Sequence, residues 1–269
     1  PVDAAWSGDG RTLAVGLADG ALVLIDVVES KVDGGQSAPG LPQPPPQLRR
    51  LEGHDGAVLA VAWQKAGRLL ASSGEDGKVL LWDARALASR IVLQGSQWSE
   101  QLAFADNGKW LAAASGRTLS FIDDQGELRH RHPAQAGTIV ALAWRPKSGE
   151  LAAAGNGGVR LYRTPPQLET RDLTIRGACL SAAFNPDGRL LAAGLQEGAV
   201  QLWNLATGSQ SQMEGYGARV FATEWSTNGR YLATAAGSTL AVCDFSVKGP
   251  EGTRPLTYEG HPERITALR

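Results

Sequence analysis

The sequence predicts an all-β fold, a β-propeller of four-stranded antiparallel blades with six blades plus one strand of a seventh, and three observations carry the prediction. One unit recurs along the 269-residue chain, anchored by Trp6, Trp63, Phe104, Trp144, Phe184 and Trp225 at intervals of 57, 41, 40, 40 and 41 residues. Each anchor precedes the same order of features: a short turn carrying Gly, a small apolar run, a second turn and another apolar run. The runs are also too short for helices, since Leu111 to Ala114 and Leu151 to Ala154 have Gly-containing turns close on either side. A period near 40 residues marks one supersecondary unit copied in tandem, and four short strands per copy match a propeller blade.

The first unit, AAWSGDGRTLAVG around Trp6, begins inside its first strand. Its long interval is explained by Val32 to Gln47, whose Gly, Ser and Pro content cannot sustain a ladder and reads as an exposed insertion between the third and fourth strands. The prolines of that insertion could also serve as a polyproline ligand, with a passive linker as the favoured alternative. In the second unit Ala57 to Trp63 is almost continuously apolar, as a strand buried on both faces should be. Arg68 to Ser73 follows as a second strand, Glu75-Asp76-Gly77 turns the chain, Lys78 to Trp82 is the third strand, and the fourth lies around Arg90 to Leu93. The units at Phe104, Trp144, Phe184 and Trp225 repeat this order, and their Ala-rich second strands suit places where neighbouring sheets approach closely. Glu259-Gly260-His261 opens a seventh unit, so residues 1–269 read as one propeller domain cut at both ends, from a seven-bladed parent.

In the second unit the succession Gly53-His54, Trp63, Leu70-Ala71-Ser72, Asp76-Gly77 and Trp82-Asp83 resembles the WD-repeat consensus of β-propeller proteins, and Phe184 to Asn204 is nearly as close. The high Ala and Gly content and the degenerate repeats look like bacterial members of that family. The resemblance implies a structural hydrogen-bonded chain of His54, Ser72, Asp76 and Trp82 within one blade. Elsewhere the pattern departs: Gly95-Ser96, Gly177-Ala178 and Gly215-Tyr216 replace Gly-His, while Ile25-Asp26, Ile122-Asp123, Tyr162-Arg163 and Trp203-Asn204 stand at the Trp-Asp position.

Lys and Arg number 26 against 27 Asp and Glu, a net charge of -1, so no global field attracts nucleic acid or anionic lipid. Cys179 and Cys243 lie in separate apolar segments and read as small buried thiols. With no bilayer-length apolar run and no leader pattern, the expected location is cytoplasmic. No phosphate-binding loop, nucleophile elbow, HExxH or Cys-x-x-Cys occurs, and no catalytic residue, cofactor or metal site is expected. A hydrolytic use of His54, Ser72 and Asp76 is set aside because the Ser lies mid-strand. His130 and His132 provide only two metal ligands and read as solvated loop residues.

The expected function is a non-enzymatic scaffold that binds a protein or peptide on the narrow face of the propeller. Loops from a rigid scaffold carry such binding, and aromatic and Arg residues dominate interfaces. Counting back four and six residues from the anchors selects Leu59, Trp98, Glu100, Leu180, Arg219 and Phe221, and the turns add Glu75, Gln196 and Arg264. Phe221 has packing against the neighbouring blade as its structural alternative. A propeller enzyme or small-ligand site in the central channel is the other functional reading, for which Glu100 and Glu224 are the inner-strand acids.

Overall fold

The computed structural model describes residues 2–27, 47–95, 97–246, 254–265 and 268, and every regular element among them is a strand. The first sheet holds β1 (Asp3–Trp6), β2 (Thr12–Gly16), β3 (Ala21–Asp26) and β4 (Gln47–Glu52) in that spatial order. The second holds β5 (Val58–Trp63), β6 (Leu69–Gly74), β7 (Lys78–Asp83) and β8 (Ala88–Gln94). The third holds β9 (Ser99–Phe104), β10 (Trp110–Ser115), β11 (Thr118–Asp123) and β12 (Leu128–Arg131). A fourth sheet has six strands, β13 (Ile139–Trp144), β14 (Glu150–Arg163), β15 (Thr170–Phe184), β16 (Leu190–Leu195), β17 (Val200–Asn204) and β18 (Gln210–Met213). The fifth holds β19 (Val220–Trp225), β20 (Tyr231–Ala236), β21 (Thr239–Asp244) and β22 (Leu256–Tyr258).

The class is the expected all-β propeller, but the count is five sheets where six separate blades were predicted. The difference has a local cause. β14 and β15 are 14 and 15 residues long, and their ladder runs from Tyr162↔Thr170 to Asn156↔Ala178 across an irregularity between Asn156 and Gly158. The Asn156↔Ala178 pair stitches the repeat anchored at Trp144 to the one anchored at Phe184, so one hydrogen-bonded sheet spans both. The predicted insertion at 32–47 lies outside the described residues except for Gln47, the first residue of β4.

The chain divides into two compact units, Pro1–Ala113 with Ile122–Leu128, and Ala114–Phe121 with Arg129–Arg269. In the first unit, one apolar cluster joins Leu22 and Leu24 of the first sheet to Leu70, Leu80 and Trp82 of the second. A second cluster joins Ala71, Val79 and Leu81 to Leu111, Ala113 and Ile122. Successive residues of β7 therefore serve opposite cores, which is why that strand needs an unbroken apolar run rather than alternation. The second unit repeats the device on β16, where Leu191, Ala193 and Leu195 join one cluster and Ala192 joins the next.

Small residues sit where sheets come closest. A Cβ on Gly194 would lie 2.5 Å from the Val220 carbonyl oxygen, so any side chain there would force the fourth and fifth sheets apart. At the Asp76-Gly77 turn, Gly77 has φ of 73°, a left-handed conformation that a β-carbon disfavours.

Cys179 and Cys243 are free and buried. Burial, with the charge of Glu197 adding to it, pushes the Cys179 thiol up to about 12, and burial also raises Cys243. The thiolate is the reactive form, so both thiols are expected to resist Ellman's reagent at pH 8 in the native protein. Denaturation should release both; one fast-reacting thiol in the folded protein would contradict this burial.

Candidate functional site

In the second sheet the four residues implied by the resemblance meet in one linked chain. His54 Nδ1 lies 3.0 Å from Asp76 Oδ1, and His54 Nε2 lies 2.8 Å from Ser72 Oγ, which also accepts from Trp82 Nε1 at 2.8 Å. Burial works to raise the Asp76 carboxyl, but hydrogen bonds from His54 and from the Asp55 and Lys78 N–H groups outweigh it and hold the pKa below the usual carboxylate value. An ionised Asp76 needs Nδ1–H as donor, which leaves Nε2 to accept the Ser72 hydroxyl proton. Each group then has a partner: Ser72 donates to the imidazole and accepts from the indole. Ser72 is fully buried and His54 nearly so, so the trio tempting as a hydrolase is enclosed structural machinery with no exposed nucleophile.

Other repeats keep a link by different chemistry. Tyr216, at the position of His54, shares a hydrogen bond with Thr234 Oγ1 at 3.2 Å and interacts with the Cys243 thiol. Cys243-Asp244 thus occupies the place of Trp82-Asp83, a correspondence the local pattern did not reveal. Tyr162 Oη donates to Gln135 Oε1 at 3.2 Å.

The residues expected on the binding face are found at strand starts and turns. In four inner strands the ladder skips one residue, between Val58 and Ala60, Ile139 and Ala141, Cys179 and Ser181, and Val220 and Ala222. The residues left out are Leu59, Val140, Leu180 and Phe221, all half-buried. A bulge re-aims the side chain it frees, and these four recur at one position of the repeat. Trp98 is 52% exposed just before β9, and Glu100 on β9, Glu75, Gln196, Arg219 and Arg264 are also exposed. Glu75 is tied to its strand, its carboxylate accepting from the Ala57 N–H at 3.3 Å. The Arg264 guanidinium stands 4.4 Å from the centre of the Phe221 ring, so the ring's cover includes a cation. Glu224 is half-buried on β19.

The histidine pair departs from expectation. His130 lies on β12, and His132 is buried, its backbone N–H donating to the Leu119 carbonyl at 2.8 Å. The His132 ring lies 4.6 Å from Tyr162, 4.5 Å from His130 and 5.7 Å from Phe121, centre to centre. Its Nε2 is buried without a hydrogen-bond partner. Burial, followed by the charges of His130 and Arg160, lowers its pKa to about 4. His132 is therefore a neutral core residue rather than a solvated one. Among the described residues no three His, Cys, Asp or Glu are gathered to hold a metal, and no helix is long and apolar enough to cross a membrane.

Two segments, 45–83 and 172–204, match the WD domain, G-beta repeat. They contain the two repeats that come nearest the consensus. The chain is 24% identical over 286 residues to an Arabidopsis thaliana protein, cell division cycle 20.4, cofactor of APC complex, covering 98% of this chain and 61% of that protein. It is 28% identical over 206 residues to human WD repeat and HMG-box DNA-binding protein 1, covering 75% of this chain and 14% of that protein. With the rat intraflagellar transport protein 80 homolog, identity is 34% over 122 residues, 44% of this chain and 15% of that protein. The chain thus spans less than two thirds of the length of these relatives. All three are eukaryotic, so the expected likeness to bacterial members finds no support among them.

Proposed function

We propose that this chain is a non-enzymatic scaffold that binds a protein or peptide partner on the narrow face of a propeller. The observation that carries the reading is the recurring bulge, which frees Leu59, Val140, Leu180 and Phe221 from the ladder at one place in the repeat. Two residues before the same place in the repeat, Trp98 and Arg219 supply exposed aromatic and guanidinium groups, the types that concentrate binding energy at interfaces. Two of the three relatives' names point the same way, one a cofactor of a complex and another a transport protein homolog, while the third is named a DNA-binding protein. The enclosed His54, Ser72 and Asp76 support rigidity in the platform and offer no reaction.

The proposal includes six repeats and the opening strand of a seventh. The six-stranded sheet carries two of the aromatic anchors, Trp144 and Phe184, which supports reading two repeats within that one sheet. The Val58 N–H donates to the Leu17 carbonyl at 3.0 Å and the Ile139 N–H to the Gly116 carbonyl at 2.8 Å, each at the start of an inner strand. The Ile265 N–H makes the same bond to the Gly237 carbonyl at 2.8 Å, as the first residue of another inner strand would.

The test is affinity capture from source cells with the wild type, with Trp98→Ala/Arg219→Ala/Phe221→Ala, and with Leu48→Ala/Leu128→Ala as an exposed control on the outer strands β4 and β12. The triple variant is expected to lose partners that the other two retain, with circular dichroism unchanged. Recovery of the same proteins by all three would refute the face.

A further inference from the structure

A groove of about 1240 Å³ lies between the outer strands of the fourth and fifth sheets, wholly within the second unit. Its two walls differ in kind. From the fifth sheet come Thr239, Ala241 and Cys243 of β21, and Thr257 of β22 flanked by Pro255 and Glu259. That alternation is the signature of a sheet face. From the fourth sheet come Leu190 of β16, Leu202 and Asn204 of β17, and an unbroken run, Ser209 to Ala218, that includes all of β18. A strand seen face-on contributes every second residue, so a consecutive run means that β18 turns its edge and backbone to the groove. Among the described residues β18 is the end strand of its sheet and pairs only with β17.

The hollow has a sequence cause. Cys243-Asp244 aligns with Trp82-Asp83, which puts Ala241 and Cys243 where the second sheet has Leu80 and Trp82. Those two large side chains close the core between the first and second sheets, whereas a methyl and a thiol, the latter reached by Tyr216, fill less of the corresponding space. Glu214 and Glu259 line the groove and are exposed, Asp187 lines it while paired to Arg189 at 3.9 Å, and among the described lining residues there is no Lys, Arg or His.

We propose that this groove binds an extended basic segment of a partner protein, added as a further strand along the edge of β18 with an aliphatic side chain seated over Ala241 and Cys243. Edge pairing satisfies the strand's outward N–H and C=O groups, alternate side chains meet the fifth sheet, and lysines between them face the acidic rim. This surface uses none of the residues of the narrow-face proposal and stands or falls separately.

Fluorescence anisotropy with a labelled Lys-Val-Lys-Val-Lys-Val-Lys peptide tests it, together with hydrogen exchange of the β18 amides. Saturable binding is expected, with slowed exchange at Gln210 to Met213. Glu214→Lys/Glu259→Lys, two exposed substitutions, should weaken binding at least tenfold, roughly the effect of two rim charge pairs reversed. Cys243→Trp, which fills the hollow, should weaken it similarly, and Trp98→Ala/Arg219→Ala/Phe221→Ala should leave it unchanged. The idea is overturned by absence of saturable binding, by equal affinity after charge reversal, or by loss of binding in the triple variant alone. Equal binding of peptides with Glu for Lys, Ser for Val, or a central Pro would overturn in turn the charge, the aliphatic anchor and the strand pairing.

Discussion

Trp82→Ala is expected to lower the free energy of unfolding by about 3–5 kcal/mol, the cost of removing a large aromatic from a core that cannot collapse around the cavity. Trp82 is 2% exposed and packs in the cluster shared by the first and second sheets. The polar side of the same residue sets a second, smaller expectation. Ser72→Ala leaves the Trp82 indole N–H and His54 Nε2 buried without their partner, a loss of about 1–3 kcal/mol. Because the three groups form one chain, Ser72→Ala combined with Trp82→Phe should cost less than the two single changes summed, by more than ~0.5 kcal/mol. Urea unfolding at neutral pH measures the wild type, Trp82→Ala, Ser72→Ala, Trp82→Phe and the Ser72→Ala/Trp82→Phe double variant. Simple additivity would show that Ser72 and Trp82 act independently, and the linked-chain account would fail.

How much of this was legible depends on whether a feature is set by local pattern or by distant pairing. The strands of the second sheet follow from patterning, because β7 must face two cores and so carries Val79, Leu80, Leu81 and Trp82 without a break. His54, Ser72, Asp76 and Trp82 were identifiable because each sits at a fixed offset from a turn or an anchor. The fusion of β14 with β15 was not, since Gly157 and Gly158 read as a turn and only the pairing of Asn156 with Ala178 carries the ladder past them. Cys243 as the counterpart of Trp82 was obscured for a related reason. A thiol carries no positional signature in a strand, and its link to Tyr216 appears only when β21 is seen beside the loop that precedes β19. The positions of the proposed binding face lie between these cases: counting from the anchors selects them, while the bulges that free Leu59, Leu180 and Phe221 depend on cross-strand register.

His132 is the residue that local pattern misread most, and it leads to the second large effect. The run Arg129, His130, Arg131, His132 is polar, yet His132, the residue just after β12, packs against Phe121 of β11 and Tyr162 of β14, which bury it. The folded protein holds this imidazole neutral, with a pKa of about 4, whereas an unfolded chain releases it to the ordinary value near 6.5. Between those two values the unfolded state binds the extra proton, so stability must rise with pH across the window. The contribution is complete above about pH 6.5 and is lost as pH falls toward 4, at most about 3 kcal/mol at 1.4 kcal/mol per pKa unit. Depressed carboxylates such as Asp76 act in a different range. Their stabilisation persists above the unfolded value of 3.8 and disappears only below it. His132→Phe keeps an aromatic ring beside Tyr162 and removes both the titration and the orphaned Nε2. Unfolding free energies measured by urea at pH 7, 6, 5 and 4.5 should therefore decline for the wild type and stay nearly level for His132→Phe, and parallel curves would mean that His132 is not the group being protonated.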